Sequence, residues 1–329
     1  MSTSTRPLVV LAGPINADAH ALLAGHAEVV VAEDLSEPAV VTLAREARGI
    51  LFRSKPRCGA SLMAACPRLV VVGRHGVGLD IVDIPAATRL GVAVVHAPGS
   101  NSQAVAEHAL MLMLMCAKRA LQVDRWTRDG DWRARADALN QELAGRTLGV
   151  VGVGNIGRRV ARFAGALGMR VLGYDKYLPP EEVRRRGAEP VASLEALLPQ
   201  VDVLTCHTPL TDETRHMINP RTLGLMRRGA ILVNTSRGPV HDERAVFEAL
   251  ARGHLASAGL DVFEEEPSPV DNPIFGLPQV VVSQHVAGVT VEATRAIGVQ
   301  VVEEMLRVLR GERPEVLVNP DVWPRLGQR

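Results

Sequence analysis

The sequence predicts an α/β protein made of two doubly wound parallel-sheet domains. Three observations predict it. Apolar runs of strand length alternate with helical patterns over most of the 329 residues. Such βα alternation implies parallel strands with helices on both faces. One long helical pattern, Ser102–Trp126, divides the alternation into two series, and a glycine-rich strand-to-helix junction at Thr147–Gly157 opens the second. A chain of this length also fits two domains better than one.

In the first series the expected strands are Leu8–Leu11, Val29–Val31, Gly49–Phe52, Leu69–Val72 and Val92–Val95, with amphipathic stretches such as Ala17–Leu23 and Val40–Ala47 between them. The divider, Ser102–Trp126, has Ser102 as its N-cap. Its segment Ala109–Ala117 is apolar all round, which predicts burial on most faces or sharing with a second subunit. Charged Asp129–Asn140 reads as an irregular connector. The second series has expected strands at Leu148–Val151, Val171–Tyr174, Val201–Cys206, Ala230–Asn234, Ala256–Leu260 and Val280–Ser283. A last helix, Glu292–Leu309, precedes a tail, Arg313–Arg329, with three prolines and no periodicity.

Composition excludes several classes. A net charge of +1 suggests neither nucleic acid nor an anionic membrane as partner. The longest apolar run, Ala109–Ala117, is too short for a bilayer. The opening MSTSTRPLVVLAG has too short an apolar region for a signal peptide. Four cysteines without C-x-x-C spacing read as reduced, mostly buried thiols of a cytoplasmic protein, with no metal site.

The junction carries the most specific chemistry. Gly152, Gly154 and Gly157 form G-x-G-x-x-G between an expected strand and a helical pattern over Ile156–Leu167. The first glycine allows the tight turn, the second lets a pyrophosphate approach the backbone, and the third lets helix and strand pack closely. Phosphates then meet free N–H groups at the helix N-terminus. Asp175, ending the next strand, is placed to accept hydrogen bonds from an adenosine ribose and to repel a 2′-phosphate, which favours NAD over NADP.

Ligands of open parallel sheets bind beyond the carboxyl ends of the strands. Gly73–Asp80, reading GRHGVGLD, follows the fourth strand and suits a small anion such as a carboxylate. Arg53, Ser54 and Lys55 follow the third strand and add positive charge to that rim. In the second series three successive strands are followed by Arg237, by the acidic cluster Glu264–Glu266 and by His285. Those are the groups that hydride transfer at a carbonyl requires. The oxygen gains charge and takes a proton, and a histidine, with an ordinary pKa of about 6.5, can supply it. A carboxylate beside the ring favours the imidazolium and fixes the tautomer, while an arginine holds a carboxylate and polarises the neighbouring carbonyl. Thus His285 reads as acid/base, Glu266 as its partner and Arg237 as the substrate anchor.

These pieces together resemble the D-isomer-specific 2-hydroxyacid dehydrogenase family over nearly the whole chain. The carriers are GRHGVGLDIVDIPAATRLGV, NSQAVAEHALMLML, ELAGRTLGVVGVGNIGRRVA, CHTPLTDETRHMI, LMRRGAILVNTSRGPV, GLDVFEEEP and SQHVAG. The resemblance implies a Rossmann NAD domain, residues 102–289. It implies a discontinuous flavodoxin-like substrate domain, residues 1–101 and 290–329, with an interdomain cleft and hinges near Gly99–Ser102 and Gly288–Glu292. The family's catalytic arginine, glutamate and histidine fall on Arg237, Glu266 and His285, leaving Glu264 and Glu265 as bystanders. Cofactor contacts fall on Asn155, Ile156, His207, Thr208, Pro209, Thr214, Thr235, Ser236, Asp261, His285 and Ala287–Gly288. Substrate contacts fall on Arg53, Ser54, Arg74, Gly76, Val77, Gly78 and Arg237.

The implied substrate is a small D-2-hydroxy acid or 2-keto acid. The sequence feels nearest to the phosphoglycerate dehydrogenase and glyoxylate/hydroxypyruvate reductase branches. His75 and His96 depart from the phosphoglycerate pattern. Glu266 argues against a formate dehydrogenase, and the chain ends without the regulatory extension of long phosphoglycerate enzymes. A homodimer formed partly through Ser102–Trp126 is expected. The competing reading is an NAD(H)-sensing, corepressor-like binding protein with little turnover.

Overall fold

The computed structural model describes residues 6–137 and 140–326. The chain divides into two compact units, Met1–Asn101 with Val289–Arg329, and Ser102–Gly288.

The first unit is built on β1 (Leu8–Ala12), β2 (Glu28–Val31), β3 (Gly49–Phe52), β4 (Val71–Arg74) and β5 (Ala93–His96). Their order is β2-β1-β3-β4-β5, all parallel. This is the flavodoxin-like order, with its reversal at β1/β3. Strands such as GILF of β3 are buried throughout because helices cover both faces. On one face Val9, Leu11, Val71 and Val95 pack with Ile297, Val301 and Met305 of the helix Val291–Leu309. Thr290 caps that helix by accepting from the Ala293 N–H at 3.0 Å.

Strand β4 corrects the expected Leu69–Val72. It runs two residues further, so Gly73 and Arg74 pair with β3 and β5 instead of opening the glycine-rich loop. Leu69 is held in a turn by its bond to the Cys66 carbonyl. Gly73 extends the strand because it leaves room for the crossing helix. A Cβ there would lie 2.3 Å from Met305 Sδ and 2.8 Å from Val301 Cγ1.

The tail, unpatterned in sequence, is anchored through Asn319. Its Oδ1 accepts from the Val94 N–H at 2.9 Å, and its Nδ2 donates to the Val92 carbonyl at 2.9 Å. Val318 donates to the Val94 carbonyl. The tail thereby covers the open edge of β5, the groups most prone to pair with another chain.

The second unit carries β6 (Thr147–Val151), β7 (Arg170–Tyr174), β8 (Glu189–Pro190), β9 (Val203–Cys206), β10 (Ala230–Asn234), β11 (Leu255–Leu260) and β12 (Val280–Val282). The order β12-β11-β10-β9-β6-β7-β8 is all parallel and is the Rossmann arrangement with one added strand. Strand β8 escapes sequence reading because it is a two-residue edge containing a proline.

The expected single helix Ser102–Trp126 is two helices, Ser102–Ala117 and Ala120–Arg128. Arg119 breaks them, in a left-handed conformation with φ 49°. Its Nε donates to Gln122 Oε1, and its guanidinium lies 5.2 Å from the Trp126 ring centroid. Burial is also narrower than the all-apolar pattern suggests. Leu112 and Met113 are fully buried, but Met111 is 40% exposed and Leu114 36%. Within the expected connector Asp129–Asn140, residues 133–137 form a short 3-10 turn, and residues 138–139 lie outside the described residues. The four cysteines are buried and unpaired, and burial pushes the thiols of Cys58 and Cys206 up to about 12. Among the described residues no helix is long and apolar enough to cross a membrane.

Gly73→Ala should destabilise the first unit by about 1–3 kcal/mol through overpacking against Met305 and Val301. Urea unfolding checks this. An unchanged midpoint would show that the helix yields freely.

Candidate active site

The glycine turn after β6 has the three properties assigned to it. Gly152 has φ +86°, and a Cβ there would lie 2.8 Å from the His207 carbonyl oxygen. A Cβ on Gly157 would lie 2.0 Å from the Gly152 carbonyl oxygen, while one on Gly154 would meet nothing within 4 Å. The turn is therefore tight, closely packed on its own helix, and open at the middle glycine. Asp175 fastens it. Its Oδ2 accepts from the Val153 N–H at 2.9 Å, and its Oδ1 accepts from the Tyr177 and Leu178 N–H groups at 3.0 and 3.1 Å. The neighbouring Lys176 is paired with Glu213 at 2.6 Å.

Beyond β9, His207 Nε2 lies 3.0 Å from Thr205 Oγ1, and Thr214 Oγ1 donates to the Pro209 carbonyl at 2.7 Å. Desolvation pushes the His207 ring down to about 3, so it is neutral. Three buried polar atoms here have no hydrogen-bond partner in the protein: His207 Nδ1, Thr208 Oγ1 and Thr235 Oγ1. Buried polar groups rarely stay unpaired. Thr208 also lies against Gly152, with Cγ2 3.1 Å from where a Cβ would stand. Orphaned donors and acceptors beside an open glycine turn fit a dinucleotide. Asn155 and Ile156 lie at that turn, where the Asn155 carbonyl accepts from Arg159 Nη1 at 2.6 Å.

The turn after β10 is wound around one side chain. Asn234 is fully buried. Its Oδ1 accepts from the Ser236 N–H at 2.9 Å and from Ser236 Oγ at 2.7 Å. Its Nδ2 lies 2.9 Å from the Arg237 carbonyl and 2.8 Å from His241 Nδ1. An amide nitrogen only donates, so His241 Nδ1 accepts and its proton sits on Nε2. Burial and the charge of His216 push His241 down to about 4. Arg237 leaves this turn with extended backbone, and its Nη1 donates to the Ser236 carbonyl at 2.7 Å.

Glu266 and His285 meet directly. Glu266 Oε2 lies 2.7 Å from His285 Nδ1, and Oε1 accepts from the Phe263 N–H at 3.1 Å. Burial alone would raise the Glu266 pKa. The His285 hydrogen bond and charge, the Phe263 N–H and the Arg237 charge outweigh it and hold the carboxyl below its ordinary range. A carboxylate only accepts, so His285 carries a proton on Nδ1 and its Nε2 faces away. The side chain is 47% exposed, which leaves Nε2 open to a reactant. His285 stands at φ 56°, and its N–H donates to the Asp261 carbonyl at 2.7 Å. The buried Asp261 carboxylate accepts from Ser283 Oγ at 2.6 Å and from the Val286 and Ala287 N–H groups, each at 2.9 Å. Glu264 is tied to His216 at 2.8 Å, away from His285.

In the first unit Arg53 Nη1 donates to the Pro14 carbonyl at 3.3 Å. Arg74 folds back over its own loop, with Nη1 donating to the His75 carbonyl and 2.5 Å from where a Gly76 Cβ would stand. His96 Nδ1 lies 3.0 Å from the Val77 carbonyl, so this histidine braces the Val77–Gly78 turn. His75 is 6% exposed and its Nε2 has no partner. Burial and the charges of Arg53 and Arg74 push it down to about 4.

Residues 110–287 match the family model described as the D-isomer specific 2-hydroxyacid dehydrogenase, NAD binding domain. The chain belongs to this family. A D-3-phosphoglycerate dehydrogenase of Methanocaldococcus jannaschii is 40% identical over 94% of the chain, which spans only 59% of that relative's length. A glyoxylate reductase of Aeropyrum pernix is 38% identical over 96% of the chain and 97% of the relative. The crystal structure of a D-lactate dehydrogenase from Aquifex aeolicus, complexed with NAD and lactic acid, superposes with a TM-score of 0.84 at 28% identity. It covers 95% of this chain and 99% of that one.

The dehydrogenase motifs were read from glycines and charges at strand ends. Asn234 and His241, which hold the turn presenting Arg237, were missed. Asn234 ends a strand and could have been marked as a turn-former, but nothing in the sequence announces His241 as its partner.

Buried neutral histidines make stability depend on pH, and His75 and His241 are two of them. Their folded pKa values lie below the unfolded value of about 6.5. The unfolded chain therefore binds more protons between pH 6.5 and 4, and their contribution is complete above that window and lost as pH falls through it. His75→Leu should flatten the dependence of unfolding free energy on pH there by up to about 1.4 kcal/mol per pH unit. Urea titrations at pH 5 and 7 test this, and parallel pH profiles for variant and wild type would refute it.

Proposed function

We propose that the chain is an NAD-dependent oxidoreductase interconverting small 2-keto acids and D-2-hydroxy acids. The observation that carries this is the His285–Glu266 pair at 2.7 Å, in the unit whose glycine turn and orphaned polar atoms fit a dinucleotide. NADH, when bound, supplies the hydride. His285 Nε2 gives a proton to the substrate oxygen, and Glu266 holds the ring in place through Nδ1. Arg237 polarises the carbonyl. The Gly76–Gly78 turn offers backbone N–H groups to the substrate carboxylate, with Arg53, Ser54 and Arg74 around it. Asp175 disfavours a 2′-phosphate, and the paired Lys176 supports that selection.

The relatives' names favour 3-phosphoglycerate or glyoxylate as substrates, and hydroxypyruvate stands beside them as a small 2-keto acid of the same class. On this reading residues 102–289 form the NAD domain, and 1–101 with 290–329 the substrate domain. We also propose a cytoplasmic homodimer. The exposed Met111, Leu114 and Leu121 on the helices Ser102–Ala117 and Ala120–Arg128 suit a contact with a second copy.

NADH oxidation against hydroxypyruvate, glyoxylate, 3-phosphohydroxypyruvate, pyruvate and a branched 2-keto acid tests the activity. His285→Ala should lower kcat by at least about 100-fold while NADH binding persists. Tight NADH binding without turnover of any substrate would favour an NAD(H)-sensing protein instead. Asp175→Ala should weaken NAD more than NADP in a fluorescence titration, and equal losses would remove Asp175 from ribose recognition.

A further inference from the structure

The catalytic turn hangs from a carboxylate that is itself held from a different element. Asp261 is 1% exposed, and both its oxygens face the turn carrying His285. Ser283 Oγ lies 2.6 Å from Asp261 Oδ1 and 2.8 Å from Nε2 of His108, on the helix Ser102–Ala117. The hydroxyl has one proton and the carboxylate can only accept. Ser283 therefore donates to Asp261 and accepts from His108, which fixes a proton on His108 Nε2. That nitrogen also lies 3.6 Å from Asp261 Oδ1.

We propose that His108 and Ser283 are positioning residues for the acid/base, acting through Asp261. The His108 Nε2–H orients the Ser283 hydroxyl, and Ser283 orients the Asp261 carboxylate. Asp261 in turn fixes the amides of Val286 and Ala287 and, through its own carbonyl, that of His285. His285 occupies a left-handed conformation that a non-glycine residue adopts only when its surroundings impose it. Three N–H bonds to one residue, Asp261, impose it here. Releasing the carboxylate lets the turn relax, and a displaced ring loses rate steeply because proton transfer depends on sub-ångström placement. Neither His108 nor Ser283 needs to touch cofactor or substrate for this. The inference rests on the assignment of His285 as the acid/base.

The test compares His108→Leu, Ser283→Ala and His108→Gln in the full chain. A glutamine amide can present an N–H close to where the imidazole Nε2–H stands, whereas leucine cannot. Steady-state reduction of hydroxypyruvate or glyoxylate gives kcat and KM, and hydrogen exchange followed by mass spectrometry reads the peptide covering residues 283–288. His108→Leu and Ser283→Ala should each lower kcat by about tenfold, with the Kd for NADH unchanged and exchange at Val286 and Ala287 accelerated. His108→Gln should recover most of both effects. Combining His108→Leu with Ser283→Ala should cost no more than Ser283→Ala alone, because they act in series.

The proposal is overturned if His108→Leu leaves kcat and local exchange as in wild type. It is equally overturned if glutamine rescues no better than leucine, or if protection falls uniformly across residues 102–288. Should wild type reduce no 2-keto acid, the proposed activity fails, and the exchange data alone still decide whether His108 holds the turn.

Discussion

In a parallel sheet every strand ends at the same edge, and this one constraint organises the second unit. The turn after β6, the acid after β7 and the loops after β9 to β12 converge because each connection returns across a face before the next strand begins. The segments carrying Gly154, Asp175, Thr208, Arg237, Glu266 and His285 are far apart in sequence. Only the strand order β12-β11-β10-β9-β6-β7 makes them neighbours.

Convergence alone does not make a reactive group. Two of the candidate side chains, Arg237 and His285, are each presented by a turn set on a buried polar residue. Asn234 winds the turn that presents Arg237, and Asp261 fastens the turn that presents His285. Both have their hydrogen-bonding capacity used by backbone groups and by the Ser236, His241 and Ser283 side chains, which lets them sit in an apolar sheet without a large desolvation penalty. Glu266 shows the opposing terms within one residue. Burial works against its charge, and the neighbouring His285 and Arg237 favour it more strongly.

The legible part of the sequence is the part carried by local rules. Glycine spacing, apolar runs of strand length and charged residues after strands marked both sheets except the edge strand β8, and the candidate reactive groups. Three of the features that were not legible show why. Arg119 breaks a helix within a segment free of glycine and proline, so no local signal marks it. Gly73 reads as a loop residue because its reason for existing, the passage of Met305, comes from a helix over two hundred residues later. His108 lies in a helical pattern full of leucine and methionine, and its partners Ser283 and Asp261 come from the other end of the unit.

The helix Val291–Leu309 lies on the sheet of the first unit, against Gly49 and Gly73, and the Asn319 tail closes the edge of β5. That sheet is finished by residues made after the second unit, which is one uninterrupted segment. On a ribosome, the nucleotide-binding half can therefore reach its native packing while β1 to β5 still wait, with one face and one edge uncovered, for the helix Val291–Leu309 and the Asn319 segment. Strands β1 to β5 precede the whole second unit and stay uncovered until it has been made, so they are the ones a chaperone would meet.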